Sequence, residues 1–340
     1  MRWSRTFCGL LILAILGASA ACRARAGDDV HALNAKLGRG VNLGNALEAP
    51  AEGEWGMVLE AEYFRLIAEA GFDSVRVPIR WSAHAELNAP YSIDPAFFER
   101  VDWVVEQALA NKLLVILNMH HYEEIFVGPE GHRERFIALW TQISEHYRHQ
   151  PQEVLFELLN EPNTALTAPL WNDLLFDTLA VVRETNPTRA VVVGPADWNS
   201  PTSLKGLQLP EDDHWLIVTV HYYQPFQFTH QGAEWVDGSE PWLGTQWEPT
   251  PLEAAVLEVD FQKIAEWAQK AGRPVFLGEF GAYSRAPQAS RVRWTSAVAR
   301  NAEANGLSWA YWEFGSGFGA YDRADRAWHQ DILRALIPAE

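Results

Sequence analysis

Cysteine is nearly absent: Cys8 and Cys22 are the only two in 340 residues, and both precede residue 27. An exported chain without them has no disulfide, so an apolar core has to hold its fold together. Basic residues are also scarce, 27 Lys and Arg against 44 acidic residues, for a formal charge of −17. Arg2, Arg5, Arg23 and Arg25 stand before residue 27 with no acid among them, so the remainder is more acidic still. This balance repels nucleic acid and anionic membranes and suits neutral or cationic partners, although plain solubility explains it as well. No glycine-rich dinucleotide fingerprint follows an apolar run, which argues against a nucleotide-cofactor fold. Repeats, low-complexity tracts and a Pro/Thr/Ser linker to a second module are all missing. The N-terminal apolar run, Phe7 to Leu16, is too short to span a membrane comfortably. It follows Arg2 and Arg5 and precedes Ala18-Ser19-Ala20 and Ala24-Arg25-Ala26, the build of a secretory leader. Residues 1–26 are therefore expected to be removed on export to the periplasm or the medium, leaving 27–340 as one domain. Anchoring at Cys22 as an outer-membrane lipoprotein is the second reading, weakened by Ser19 three residues earlier.

What is present is a core-forming chain, 48% hydrophobic. Eight short aliphatic runs read as strands buried on both faces: Gly40–Leu43, Ser74–Ile79, Leu113–Leu117, Val154–Leu159, Ala190–Val193, Trp215–Val220, Pro274–Leu277 and Leu307–Tyr311. Amphipathic stretches separate them. The clearest runs from Asp94 to Asn111, with Pro95 at the first helical position and Phe97, Val101, Val104, Val105, Ala108 and Leu109 at helical spacing. Others are expected at Glu60–Ala70, Arg133–Arg148, Pro169–Thr185, Val256–Ala271 and Ala289–Asn305. Eight strand–helix alternations predict a single (β/α)8 barrel, α/β in class. One connection, from His221 to about Leu252, is unusually long and rich in aromatics, which predicts an ordered functional loop.

Two of the expected strands end in a glutamate. Val154-Leu-Phe-Glu-Leu-Leu runs into Asn160-Glu161-Pro162, and Val275-Phe-Leu into Gly278-Glu279-Phe280-Gly281. Barrel active sites lie at the strand C-termini, so the two carboxylates share a mouth. A pair of this kind is what hydrolysis of a glycosidic bond requires. The polar residues closing the other strands complete a convergent set: Asn45, Arg76, His120, His121, Asn160, His221, Tyr223 and Trp312.

Each has a structural alternative. Arg76 is either a cation that keeps a nucleophilic carboxylate ionised or a buried ion-pair partner of Glu157. His120, His121 and His221 are the zinc alternative, but adjacent residues of an extended strand point to opposite sides, which is poor chelating geometry. Hydrogen bonding to sugar hydroxyls or to the carboxylates fits them better. Trp312 reads as barrel packing or as a platform for the apolar face of a pyranose. Trp235, in the long loop, is expected to be a second sugar platform.

These motifs together resemble glycoside hydrolase family 5, a retaining family of clan A barrels: Arg76 in Ser-Val-Arg-Val-Pro, His120-His121 in Leu-Asn-Met-His-His, Asn160-Glu161-Pro162, His221 and Tyr223 in His-Tyr-Tyr, Glu279 in Gly-Glu-Phe-Gly, and Trp312. Asn-Glu-Pro alone is weakly specific; the ordered set across eight strands is not. The resemblance runs from about Gly38 to the C-terminus. It implies that Glu161 is the general acid/base and Glu279 the nucleophile, with Asn160 on the sugar 2-hydroxyl. It further implies that Tyr223 and Arg76 hold Glu279, that His221 lies near Glu161, and that His121 and Trp312 contact the non-reducing-side sugar. Gly-Val-Asn-Leu-Gly-Asn-Ala-Leu-Glu and Gln-Phe-Thr-His-Gln-Gly-Ala-Glu-Trp look like the endoglucanase and mannanase subgroups. The implied function is a retaining endo-β-1,4-glucanase with no metal or organic cofactor, acting as a monomer on a β-linked polysaccharide, with no nucleic-acid partner and no membrane span. Endo-β-1,4-mannanase is the alternative within enzymes, and an inactive polysaccharide-binding protein the alternative outside them. N-terminal sequencing of the exported protein is expected to start at Ala21 or Gly27; soluble mature protein that keeps Met1 overturns the leader reading.

Overall fold

A computed structural model of the protein describes residues 29–339. The leader expected over 1–26, with Cys22, lies outside the described residues. Eight parallel strands close into a barrel in sequence order: β1 (Arg39–Asn42), β2 (Ser74–Ile79), β3 (Leu114–Met119), β4 (Val154–Glu157), β5 (Val191–Val193), β6 (Leu216–His221), β7 (Val275–Glu279) and β8 (Ser308–Tyr311). The last joins the first, with Val41 opposite Tyr311. The expected single (β/α)8 barrel is the fold observed.

The helices are α1 (Val30–Leu37), α2 (Ala61–Glu69), α3 (Pro95–Ala110), α4 (Glu123–Val127), α5 (Pro129–His146), α6 (Ala168–Thr185), α7 (Phe226–Thr229), α8 (Pro251–Ala271), α9 (Gln288–Ala304) and α10 (Gln330–Leu336). Proline in the first turn fixes several starts. In α8 it joins a capping box between Thr250 and Glu253, which extends that helix five residues before the expected Val256. Helix α5 likewise begins at Pro129, ahead of the expected Arg133. A two-stranded ribbon, β9 (Tyr321–Asp322) and β10 (Ala327–Trp328), follows the barrel.

The strand residues divide by parity, as a pleat requires. Val75, Val77, Val115, Leu117, Phe156, Val191, Val193, Val218, Val220 and Leu277 pack in the same buried cluster as the helices' apolar faces. Ile116, Leu155, Val192, Ile217 and Phe276, each fully buried, fill the barrel interior together with Val30, Leu33 and Leu37 of α1. Helix α1 thus plugs the N-terminal mouth, tied there by Ser74 Oγ to the Leu37 carbonyl at 2.7 Å and Ser308 Oγ to Asn34 Oδ1 at 2.8 Å. Full burial of each such aliphatic side chain contributes about 1.5–3 kcal/mol. The lower barrel interior is therefore filled by apolar side chains.

Strand ends depart from the expectation where apolarity stops before hydrogen bonding does. β3 continues through Asn118 and Met119, paired with Pro78 and Ile79, and β7 continues through Gly278 and Glu279. In β4 the reverse holds: Leu158 and Leu159 are buried but lie beyond the strand.

Below the site, Arg189 is 4% exposed and gives its guanidinium to backbone. It donates to the carbonyls of Tyr147, Gln150, Pro151 and Val154 at 2.6–3.1 Å and to Asn186 Oδ1 at 2.8 Å. Burial, followed by the nearby Arg183, lowers its pKa to about 10. This one side chain closes the end of α5 onto the start of β4. Arg189→Met removes five buried hydrogen bonds, although the Tyr147 and Pro151 carbonyls each keep a backbone donor, and is expected to destabilise the protein by about 3 kcal/mol or more. Arg189→Lys, with three donors, recovers part of the loss; calorimetry that finds both variants melting with the wild type overturns this account.

Candidate active site

The inward-facing row of each strand turns from apolar to polar toward its C-terminal end. Ile116 gives way to Asn118, Leu155 to Glu157, Ile217 to Thr219 and His221, and Phe276 to Gly278. Arg76 sits at the centre of this upper layer with no exposure. Its Nε and Nη2 bond both oxygens of Glu157 at 2.7 and 2.8 Å. Nη1 donates to Glu279 Oε1 at 2.7 Å and to Asn42 Oδ1 at 2.8 Å, and Nη2 also reaches Asn160 Oδ1 at 2.7 Å. Both readings of Arg76 are thus realised at once: it pairs Glu157 and it holds Glu279. Burial works against its charge, but Glu157 and then Glu279 more than offset this, and its pKa moves up.

The second oxygen of Glu279 accepts from the Tyr223 hydroxyl at 2.9 Å. Between β6 and β7 the register slips, Val220 facing Leu277 but His221 facing Glu279, so that Gly278 is the extra residue of a bulge. A Cβ on Gly278 would stand 2.5 Å from Thr219 Oγ1 and 3.0 Å from His221 Nε2. Glycine there lets the imidazole lean over β7. His221 Nδ1 lies 2.7 Å from Glu161 Oε1 and 3.6 Å from Glu279 Oε2. Glu161 itself holds φ at 47°, a left-handed conformation for a residue that precedes proline. Such a conformation costs about 1–3 kcal/mol and persists only where the surroundings impose it.

One oxygen of Glu161, one of Glu279 and a ring nitrogen of His221 all lie within 4.8 Å of one another. These donors are close enough to hold an ion, but the guanidinium against Glu279 already supplies the positive charge. The three histidines weighed as zinc ligands are not gathered: His121 pairs with Glu123 at 3.1 Å, and among the described residues the three form no common ligand set. Burial raises the Glu161 pKa to about 7, against the opposing charges of Arg76 and His121. Burial raises Glu279 as well, opposed by His221, Arg76 and the Tyr223 hydrogen bond. Burial lowers His221 to about 4, so its ring is neutral.

Of the other expected residues, Asn160 is anchored through its Oδ1, which leaves the amide nitrogen for a ligand. Trp312 is half-buried and lies flat on His120, with ring planes 7° apart and centroids 5.5 Å apart. His120 is 4% exposed, so it backs Trp312 from behind. Trp235 is 60% exposed, with its ring against Tyr283 and Phe318. Phe318 in turn neighbours Tyr223, so an aromatic ridge runs from the Glu279 cluster out to Trp235. Asn45 is placed at the rim, where its backbone N–H donates to Glu48 and its φ is 65°. It is Asn42, three residues earlier, that reaches into the cluster, bonding the carbonyls of Gly278, Ala310 and Tyr311.

Sequence reasoning missed four further polar groups. Asn42 lies within the expected first strand, between Val41 and Leu43. Glu48 and Glu313 are buried acids whose carboxylates hold rim loops by backbone N–H groups, Ala46 on one side and Gly315, Ser316 and Phe318 on the other. Burial raises them to about 8 and about 7. Asn199, fully buried against His221, carried no signal in the sequence.

The comparisons agree with this site. Residues 38–317 match the family model described as Cellulase (glycosyl hydrolase family 5). Endoglucanase H of Acetivibrio thermocellus is 37% identical over 308 residues, covering 89% of this chain but 33% of that protein, so the chain spans a third of this relative's length. Endoglucanase 1 of Ruminococcus albus is 28% identical over 330 residues, covering 87% of this chain and 78% of that protein. Among solved structures, Thermotoga maritima Cel5A in complex with cellobiose is 50% identical with a TM-score of 0.90, covering 91% of this chain and all of that one. The same enzyme in complex with mannotriose superposes with the same TM-score, identity and coverage. With a half-buried glutamate just past β4, a buried one at the end of β7, and a family model matched over most of the chain, the protein belongs to glycosyl hydrolase family 5, the cellulases.

Proposed function

We propose that the protein is a retaining endo-β-1,4-glucanase, exported and then cleaved of residues 1–26, that works as a monomer on β-linked glucans. The observation that carries the reading is the spacing of the two carboxylates. Oxygens of Glu161 and Glu279 within 4.8 Å of each other belong with the shorter carboxyl separation, about 5–5.5 Å, of retaining glycosidases. Inverting enzymes need about 6.5–9.5 Å to admit a water between carboxylate and sugar. At the shorter separation one carboxylate attacks the anomeric carbon directly.

Partner chemistry divides the roles. Glu279 receives a charge-assisted hydrogen bond from Arg76 and another from Tyr223, both of which favour its ionised form and aim it. Glu161 has no guanidinium in contact, and its pKa of about 7 keeps a proton on it in mildly acidic solution. Glu161 passes that proton to the departing glycosidic oxygen while Glu279 forms an ester with the anomeric carbon. Glu161 then takes a proton from water, whose oxygen displaces Glu279 and restores the original configuration. Activity is lost as pH rises through the Glu161 pKa, because the acid is then deprotonated. It is lost again as pH falls through the pKa of Glu279, because the nucleophile is then protonated.

Around the reacting carbon, the free amide nitrogen of Asn160 is placed for the 2-hydroxyl, and Trp312 with His121 forms the wall on the non-reducing side. The exposed face of Trp235 offers a platform at the other end of the aromatic ridge. Endo-mannanase activity is the second reading, favoured by the occurrence of both cellobiose and mannotriose complexes for the Thermotoga maritima relative. A silent binding protein has little support, since the nucleophile, its two hydrogen-bond donors and the acid are all in place.

Glu161→Ala is expected to cut polysaccharide hydrolysis by roughly 10²–10⁴-fold, the usual contribution of general acid catalysis. An aryl glycoside with an acidic phenol needs little protonation, so its first step should survive, with azide restoring turnover; equal losses on both substrates and no azide effect give Glu161 another role. Proton NMR in the first minutes of hydrolysis is expected to show the β-anomer at the new reducing end. An initial α-anomer signal overturns the assignment of Glu279 as nucleophile.

A further inference from the structure

A turn after β5 carries a feature that neither the catalytic steps nor the sequence motifs absorb. Asp197, Trp198 and Asn199 stand consecutively at φ of 62°, 57° and 53°. The left-handed region is normally visited by single residues, so three in a row are a local cost that the surroundings have to maintain. What holds them is the acid/base side of the cleft. The Trp198 N–H donates to the carbonyl of Pro162, next to Glu161, at 3.3 Å, and the His221 N–H donates to the Asn199 carbonyl at 3.0 Å. The turn straps the mouth of β4 to the mouth of β6 and drives the Asn199 side chain inward with no exposure. Two glycines make room for it. A Cβ at Gly194 would lie 2.1 Å from Asn199 Oδ1, and Gly278 clears the space beside His221 Nε2. The amide and the ring meet there, Nδ2 of Asn199 at 3.3 Å from Nε2 of His221.

A neutral imidazole carries one N–H, and the nitrogen that carries it decides whether His221 donates to Glu161 or accepts from it. We propose that Asn199 is a positioning residue for the acid/base: its amide donates to Nε2 of His221, fixing the ring proton on Nδ1 so that the ring donates to Glu161. This rests on the acid/base role proposed for Glu161. The orientation with Nδ2 toward the ring leaves Oδ1 of Asn199 without a partner, and a buried orphan acceptor is less costly than an orphan N–H. A donor at Nδ1 favours the Glu161 carboxylate and opposes the effect of burial, so the proton leaves Glu161 more readily when it passes to the departing oxygen. Without the amide, the ring proton is free to sit on Nε2, and Nδ1 then accepts from protonated Glu161 and holds the proton there. The other ionisable groups facing this pair are Arg76, His120, His121, Glu157, Tyr223 and Glu279.

Asn199→Gly is the informative variant, because glycine adopts φ near 53° without strain and removes only the amide. Nitrogen-15 NMR of the histidine rings, with His221 assigned from the spectrum of His221→Gln, reads the tautomer without reference to activity. In the wild type the proton is expected on Nδ1, with Nε2 bare. Asn199→Gly should move it toward Nε2, and Asn199→Asp, which can only accept, should place a proton on Nε2. The alkaline limb of kcat/KM in Asn199→Gly should move up by roughly one pH unit, the size of one reversed hydrogen bond to a carboxyl group. Wild-type protein with its proton on Nε2, or ring spectra unchanged in both variants, overturns the inference. A moved tautomer with an unmoved alkaline limb overturns the link to Glu161. Failure of the acid/base assignment itself is read separately, in a Glu161→Ala enzyme that keeps its polysaccharide activity.

Discussion

The Arg76 guanidinium is the interaction on which the rest of the mouth depends. A cation with no exposure costs several kcal/mol unless its donors are matched. Here they are met by both oxygens of Glu157, one of Glu279, and the amide oxygens of Asn42 and Asn160. Four strands are thereby tied across the barrel axis, β1, β2, β4 and β7. The planar fork matters, because a lysine ammonium cannot bond one carboxylate through two nitrogens and still reach three further acceptors. Charge follows geometry. Glu161 makes no contact with this cation, and burial raises its pKa to about 7 although the charge of Arg76 opposes the shift.

Burial alone does not separate an acid from a nucleophile. It pushes Glu161 and Glu279 in the same direction. The difference comes from what each oxygen touches: a guanidinium and a phenol for Glu279, one neutral imidazole for Glu161. Glu161 also keeps 23% of its side chain exposed, whereas Glu279 keeps 6%. His221 lies against both, 2.7 Å from Glu161 and 3.6 Å from Glu279. Its place depends on the bulge at Gly278, since a regular ladder there would aim the ring differently.

Much of this was legible in the sequence because it is local. The aliphatic runs predict all eight strands, and helical spacing predicts the six long helices between them but not α1, α4, α7 or α10, since a strand buried on both faces and a long amphipathic helix each print their period on the chain. The errors lie where a polar residue belongs to a strand, as with Asn118 and Glu279, or where a cap extends a helix, as with Thr250 at α8. Asn160-Glu161-Pro162 and Gly278-Glu279 were readable as strand ends bearing carboxylates. Asn42, Glu48, Glu313 and Asn199 were not singled out, because a lone amide or acid beside apolar residues has no period and no partner in its own neighbourhood.

The sequence by itself therefore determined the order of the elements, the mouth at which polar side chains would gather, and the two glutamates that follow the β4 and β7 runs. Only the tertiary structure decided that their oxygens lie within 4.8 Å, that Arg76 serves Glu157 and Glu279 together, and that Asn199 meets His221 through the gaps left by two glycines. The physical reason is that periodicity records which face of an element is buried, whereas distances across a closed barrel are set by the register of every strand between them.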